Sequence, residues 1–332
     1  MADPVLRAPF PYFGGKRRAA DLVWKALGRV DHYIEPFCGS AAVILARPGG
    51  AGRCETVNDK DGMIANFWRS VKSHPKEVAQ WADWPINEID QNARHKWLIA
   101  QRENLTEQLI ADPDWCDPKV AGWWVWGSCL WIGSGWCSRE SRQLPAIGSE
   151  GMGVHSPRRN KGVGENHGFT GTVEEWLVAL SNRLRRVRVT CGDWQRVVSS
   201  PSVLYPGAVG KPNMDVGIFL DPPYAEGEMD YAVGGTGTDL SAQVRAWALE
   251  AGKEPRLRIV LAGYQGEHEM PGWTVVEWTA LGGYASQGTE RTENRKRERL
   301  WLSPRCVGGE NSKTNALDLF DNEDDDEGAA DE

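Results

Sequence analysis

Val216-Gly217-Ile218-Phe219-Leu220-Asp221-Pro222-Pro223-Tyr224 is the stretch on which the fold turns. An apolar run ended by two prolines describes a buried strand that stops abruptly, because proline has no N–H for a sheet ladder. An acid and an aromatic ring then stand at the strand's carboxyl end, where open α/β sheets hold their ligands. Pro223 has no N–H to offer the Pro222 carbonyl, which leaves that carbonyl for a ligand. One carboxylate, one carbonyl and one flat ring suit a planar molecule carrying an exocyclic amine. The amine donates to Asp221 and Pro222 while Tyr224 stacks on the face. Taken alone, the tetrapeptide more often reads as a turn, since Asp and Pro are ordinary turn residues.

Three further motifs change that balance. Pro9-Phe10-Pro11-Tyr12-Phe13-Gly14-Gly15-Lys16 opens a predicted helix over 16–27. Tyr33-Ile34-Glu35-Pro36-Phe37-Cys38-Gly39-Ser40-Ala41-Ala42-Val43 reads as a strand, a tight turn and a helix start. Thr56-Val57-Asn58-Asp59 is a second strand ending in an acid. Asp59 follows Gly39 at about the spacing of a ribose-binding carboxylate in a nucleotide-binding α/β unit.

With these four motifs in order, the chain resembles the DNA adenine methylase family (Dam type), over about residues 1–70 and 170–305. The resemblance implies an S-adenosylmethionine-dependent adenine-N6 methyltransferase that leaves S-adenosylhomocysteine as product. Its fold would be α/β, a doubly wound, mostly parallel, Rossmann-like sheet of the class I methyltransferase type. Tyr12, Phe13, Gly14, Gly15 and Lys16 would pack on the cofactor, with Lys16 pairing its carboxylate. Glu35, Pro36, Phe37, Gly39 and Ser40 would bring backbone close to it, and Asp59 would accept both ribose hydroxyls. Asp61 is the runner-up for that task and otherwise a helix N-cap. Asp193 would accept from the cofactor's adenine amine, flanked by Trp194; a strand-end turn explains Asp193 equally well. Ala41 stands where the family carries a second glycine, one methyl group larger. Asp221, Pro222, Pro223 and Tyr224 would form the catalytic pocket for a base flipped out of its duplex, since a stacked base cannot reach such a site.

The remaining chain fits this scheme. Strands are predicted near 33–35, 56–57, 187–191, 216–220, 258–262, 274–278 and 299–302, alternating with helices near 16–27, 41–46, 62–71, 172–186 and 240–251. This alternation argues for a doubly wound sheet. Residues 72–171 break the rhythm and are expected to form an inserted target-recognition domain between catalytic halves at 1–71 and 172–305. Helices are predicted within it over 75–81 and 91–103. Ten of the 17 tryptophans lie between Trp68 and Trp136, most of them expected as core. The stretch 126–137 takes the place of the family's recognition hairpin, where Trp136 is a candidate wedge into the duplex. The loop after it offers Arg139, Arg142, Arg158, Arg159 and Lys161 for phosphates and base edges. A second basic run, from Arg291 to Arg299 and interrupted by Glu290, Glu293 and Glu298, reads instead as a solvated, salt-bridged segment.

Charge and cysteines set further bounds. The net charge is −8, but residues 310–332 carry ten acids against Lys313, which leaves residues 1–309 at +1. That tail, with 306–309 leading into it, has the composition of a disordered extension, either a solubilising appendage or a phosphate mimic for a basic groove. Seven cysteines without a Cys-x-x-Cys pair, and histidines without ligand spacing, fit a reduced cytoplasmic protein that needs no metal. No apolar segment approaches a membrane span, and the start lacks a signal-peptide pattern. Double-stranded DNA is the expected partner, in a bacterial or phage-infected cell, and a monomer or weak dimer the expected state. Alternatives stay open: a cytosine-N4 or RNA adenine methyltransferase, a catalytically silent DNA-binding protein of the same fold, or a docking module built on the tryptophans.

Overall fold

A computed structural model describes residues 6–10, 12, 16–131, 136–137, 171–199, 201–205, 214–224, 237–278 and 297–307. Along the chain run α1 (Arg17–Leu27), β1 (His32–Glu35), α2 (Ala42–Leu45), β2 (Cys54–Asp59) and α3 (Gly62–Ser73). Three helices follow, α4 (Pro75–Ala82), α5 (Glu88–Ala111) and α6 (Pro118–Leu130). The chain then returns to the sheet through α7 (Val173–Leu184), β3 (Val187–Cys191), α8 (Pro201–Leu204) and β4 (Val216–Leu220). It finishes with α9 (Gly237–Ala251), β5 (Leu257–Tyr264), β6 (Thr274–Glu277) and β7 (Glu298–Leu302).

The seven strands form one sheet in the order β3-β2-β1-β4-β5-β7-β6. Strands β1 to β5 pair in parallel, whereas β7 runs antiparallel to both β5 and β6. The expected α/β class with a mostly parallel, Rossmann-like sheet is therefore what the chain adopts. Order reverses between β1 and β4: from β1 the chain moves outward to β2 and β3, and from β4 outward to β5. Such a reversal opens a crevice beyond the carboxyl ends of the two central strands.

Successive strand residues face opposite sides, and the core divides accordingly. Val216, Ile218, Leu220, Ile259, Leu261 and Trp301 belong to one buried cluster, together with Val244 and Ala248 of α9. Phe219, Val260, Ala262, Leu300 and Leu302 belong to the other. That second cluster continues through Val23 and Trp24 of α1 and Phe67 and Trp68 of α3, then on to Trp124 and Trp126 of α6 and Trp176 of α7. A single hydrophobic layer thus runs from the sheet through the tryptophan-rich stretch. Of the ten tryptophans expected mostly as core, Trp68, Trp124 and Trp126 are buried and Trp97, Trp115, Trp123 and Trp136 pack partly buried against the cluster, whereas Trp81 and Trp84 are exposed.

Helix boundaries follow from local chemistry. Asp61 caps α3 through the Met63 amide, Asn87 caps α5 through Asp90, and Asp117 caps α6 through Val120 just ahead of Pro118. Thr172 and Glu175 form the expected capping box at α7. Three readings are corrected. The stretch taken as a recognition hairpin begins inside α6, which runs to Leu130, and α5 is 24 residues long rather than the shorter helix expected. Of the second basic run, residues 290–296 lie outside the described residues; Arg299 is ion-paired with Glu277 as expected, but it and Glu298 are buried on β7 between two neighbouring strands rather than solvated.

Candidate active site

Parallel pairing brings the strand-terminal acids to one edge of the sheet. Glu35 ends β1 and Asp59 ends β2; Asp193 stands two residues beyond β3, and Asp221 one residue beyond β4. Because β7 is antiparallel, its first residue, Glu298, reaches the same edge and pairs in register with Tyr264 at the end of β5. Sequence order gave no reason to put Glu298 with the others. The only hint was an acid opening an apolar Leu-Trp-Leu strand.

At the β4 side, Lys16 Nζ lies 3.0 Å from Asp221 Oδ1 and 3.8 Å from Glu298 Oε2. The same ammonium stands over the Tyr224 ring, 4.8 Å from its centroid. Tyr224 donates its hydroxyl to Glu298 Oε2 at 2.8 Å, and its ring packs edge-on against Tyr264 at 4.5 Å. Asp221 keeps 21% of its side chain exposed, while Lys16 and Glu298 each keep 5%. Burial pushes the Asp221 carboxyl up from its ordinary value, and the Lys16 charge opposes that. Glu298 is pushed up in the same way, again opposed by Lys16. Burial drives the Tyr224 phenol far above its ordinary range, helped by the charges of Asp221 and Glu298.

At the β1 and β2 side the loop after β1 is held from several directions. The Gly39 amide donates to Asp59 Oδ2 at 3.0 Å, and the Gly39 carbonyl accepts from Trp68 Nε1 at 2.8 Å. Gly39 has φ +44°, and a Cβ there would stand 2.7 Å from Tyr12 Cζ, so the ring lies directly on a backbone that only glycine permits. Ala41 sits at φ 53°, also left-handed. At this position an alanine brings backbone strain as well as one methyl group of volume. Asn58, buried at the end of β2, donates through Nδ2 to the carbonyls of Pro36 and Gly192, both at 3.0 Å. Sequence reasoning passed over Asn58, although a lone amide before the strand-terminal acid is where such a bridge is needed.

Burial pushes Asp59 up to about 7, with Asp61 adding to it. Glu35 accepts from Tyr33 Oη at 3.0 Å, yet burial pushes it up to about 8, aided by the nearby charges of Asp221 and Asp59. Asp61 serves as the N-cap of α3 and takes a two-pronged ion pair from Arg102, at 2.9 and 3.2 Å. Asp193 accepts from the Gln195 amide at 2.9 Å and caps the 3₁₀ turn Trp194–Val197. Trp194 is buried between Phe37, 6.0 Å away and tilted by 31°, and Trp247.

These placements gather Tyr12, Lys16, Glu35, Pro36, Phe37, Gly39, Ser40, Asp59, Asp193, Trp194 and Asp221 through Tyr224 along one edge. Phe13, Gly14 and Gly15 lie outside the described residues, as do Arg139, Arg142, Arg158, Arg159, Lys161 and the acidic tail. Trp136 donates Nε1–H to the Trp124 carbonyl at 2.9 Å, and its ring fills the space over Gly127, so much of it packs on protein. Among the described residues no group of His, Cys, Asp or Glu is placed to hold a metal ion, and no helix is long and apolar enough to cross a membrane. A scan against protein-family models and a search of curated proteins each give no match to this chain.

Proposed function

We propose that this chain transfers a methyl group from S-adenosylmethionine to the exocyclic N6 amine of an adenine flipped out of duplex DNA. One observation carries the reading: Asp193, Asp59, Glu35 and Asp221 line the carboxyl edge of four adjacent strands, on either side of the β1/β4 reversal.

The residues present fit the donor molecule. The Tyr12 ring packs on Gly39 beside this edge, and Asp59 accepts backbone N–H groups from Gly39, Lys60 and Asp61, which leaves it acceptor capacity for a ribose hydroxyl. Phe37 and Trp194 offer aromatic walls beside Asp193 for an adenine ring. When bound, S-adenosylmethionine supplies an electrophilic methyl on its sulfonium sulfur. The chain's own part is positional. Asp221 and the Pro222 carbonyl accept the two hydrogens of the amine, drawing its delocalised lone pair out of the ring plane. Pro223 fixes the backbone so that both acceptors face one way, and Tyr224 presents a ring face for stacking. Holding the nucleophile in line and stabilising its developing positive charge beside Asp221 supply most of the gain. The raised Asp221 carboxyl is suited to take a proton as the amine is methylated. Arg139, Arg142, Arg158, Arg159 and Lys161 are assigned to the DNA.

The test is transfer of labelled methyl from S-adenosylmethionine to unmethylated duplex DNA, run beside RNA and a no-nucleic-acid control. Hydrolysis of the product to N6-methyladenine is the expected result. Label in N4-methylcytosine, in RNA alone, or nowhere refutes it.

A further inference from the structure

Lys16 holds both things an incoming base would need. Its ammonium sits on the Asp221 oxygen at 3.0 Å, and it stands over the Tyr224 ring face. An incoming amine must share that carboxylate with the ammonium, and no base can stack on that ring face while Lys16 stays. A buried ammonium does not leave a carboxylate unless another negative group receives it. Glu298 is that group: its Oε2 is already 3.8 Å from Nζ, and it is as buried as the lysine. Tyr224 donates to the same Glu298 oxygen, so ring and counter-charge are mechanically joined.

Resting on the proposed function, we infer that Glu298 is a positioning residue that receives Lys16 from Asp221 when the target base enters. Lys16 occupies the place at Asp221 that the amine would take. When the base arrives, the cation shifts from Asp221 to Glu298, the ring face opens, and the Tyr224 hydroxyl remains anchored by Glu298. A neutral side chain at 298 would remove this nearby counter-charge and leave the base to compete with the ammonium at Asp221. Three variants separate this role from simple support of Tyr224. Glu298→Gln keeps an acceptor for the phenol and removes the charge, Tyr224→Phe removes only the hydrogen bond, and Lys16→Met removes the cation.

The experiment measures methyl transfer to unmethylated bacterial genomic DNA, with S-adenosylmethionine affinity by calorimetry and melting temperature recorded for each variant. Glu298→Gln is expected to lower kcat/KM for DNA by about 10–100-fold, the scale of a charged hydrogen-bonded pair, with S-adenosylmethionine affinity within about threefold of wild type. Tyr224→Phe is expected to cost only about fivefold, as for a neutral hydrogen bond. Adding Glu298→Gln to Lys16→Met should cost less than it does in the wild type, since no cation then needs a receiver. Should Glu298→Gln fail to fold, Glu298→Asp takes its place. That variant draws the charge back by one methylene, and a larger loss than Tyr224→Phe is again expected. A glutamate variant no worse than Tyr224→Phe, or an equal cost with and without Lys16, overturns the inference. A wild type that transfers no methyl to DNA overturns the proposed function, and this inference falls with it.

Discussion

The Gly39 amide donates to Asp59 Oδ2 at 3.0 Å, so the last residue of β2 holds the loop that leaves β1. Gly39→Ala strains that loop twice, through its left-handed backbone and through the Tyr12 ring above it. A left-handed alanine costs about 1–2 kcal/mol, and S-adenosylmethionine affinity is expected to fall at least roughly tenfold. Calorimetry on the folded variant checks this. Adding Tyr12→Ala should restore part of the loss, the share due to the ring contact.

Asp221→Ala removes the acceptor for the amine and leaves the cofactor cradle at β1 and β2 intact. Transfer is expected to fall by about 10²–10³ or more, the scale for removing a charge-stabilising partner, while S-adenosylmethionine still binds. Activity near wild type would refute the catalytic assignment.

Burial holds the Glu35 carboxyl at about 8 against an ordinary 4.5, so at neutral pH it keeps a proton that the unfolded chain has lost. The folded state then binds more protons, and the stabilisation is lost as pH rises through the folded value. His32, pushed down to about 4 by burial, works in the opposite sense, but only below its ordinary 6.5. Between about pH 6.5 and about pH 8, therefore, the melting temperature should fall, with Asp59 at about 7 acting in the same sense, and Glu35→Gln should reduce that slope. An unchanged slope in the variant would show that another group is responsible.

Arg183 donates to Glu55 at 2.7 and 3.0 Å, with both side chains almost fully buried. Arg47 meets the same carboxylate at 3.1 Å. Glu55→Gln leaves this buried positive charge without its counter-ion and is expected to cost about 3–5 kcal/mol in chemical denaturation. Glu55 lies on β2 away from the carboxyl edge, so S-adenosylmethionine affinity of the folded variant should be unchanged. Loss of affinity together with stability would contradict that separation.

Local chemistry made most of the sheet legible. Val187–Cys191 and Val216–Leu220 were bounded correctly because apolar runs met turn residues at both ends. Three of the four motifs end a strand, and parallel pairing alone carries Asp59, Glu35 and Asp221 to one edge. Relations made by topology were not legible. Glu298 looked like one charge in a polar run because nothing local says that β7 enters between β5 and β6, where even a glutamate is buried. Lys16 was expected to face a cofactor carboxylate, whereas the structure sets it between Asp221 and Glu298, residues far along the chain. The helix α6 was hidden by its tryptophans and glycines, poor helix formers that tertiary packing overrides.

The placement of β7 also sets an order of events during synthesis. Its two neighbours are made first, so β5 and β6 have no ladder between them until residues 298–302 have emerged. Until then neither the Tyr224 hydroxyl nor the Lys16 ammonium has Glu298 to meet. The nascent chain is thus unfinished at this edge until its last described strand, and on the proposed function ribosome-bound chains halted before β7 would carry every motif yet be inert.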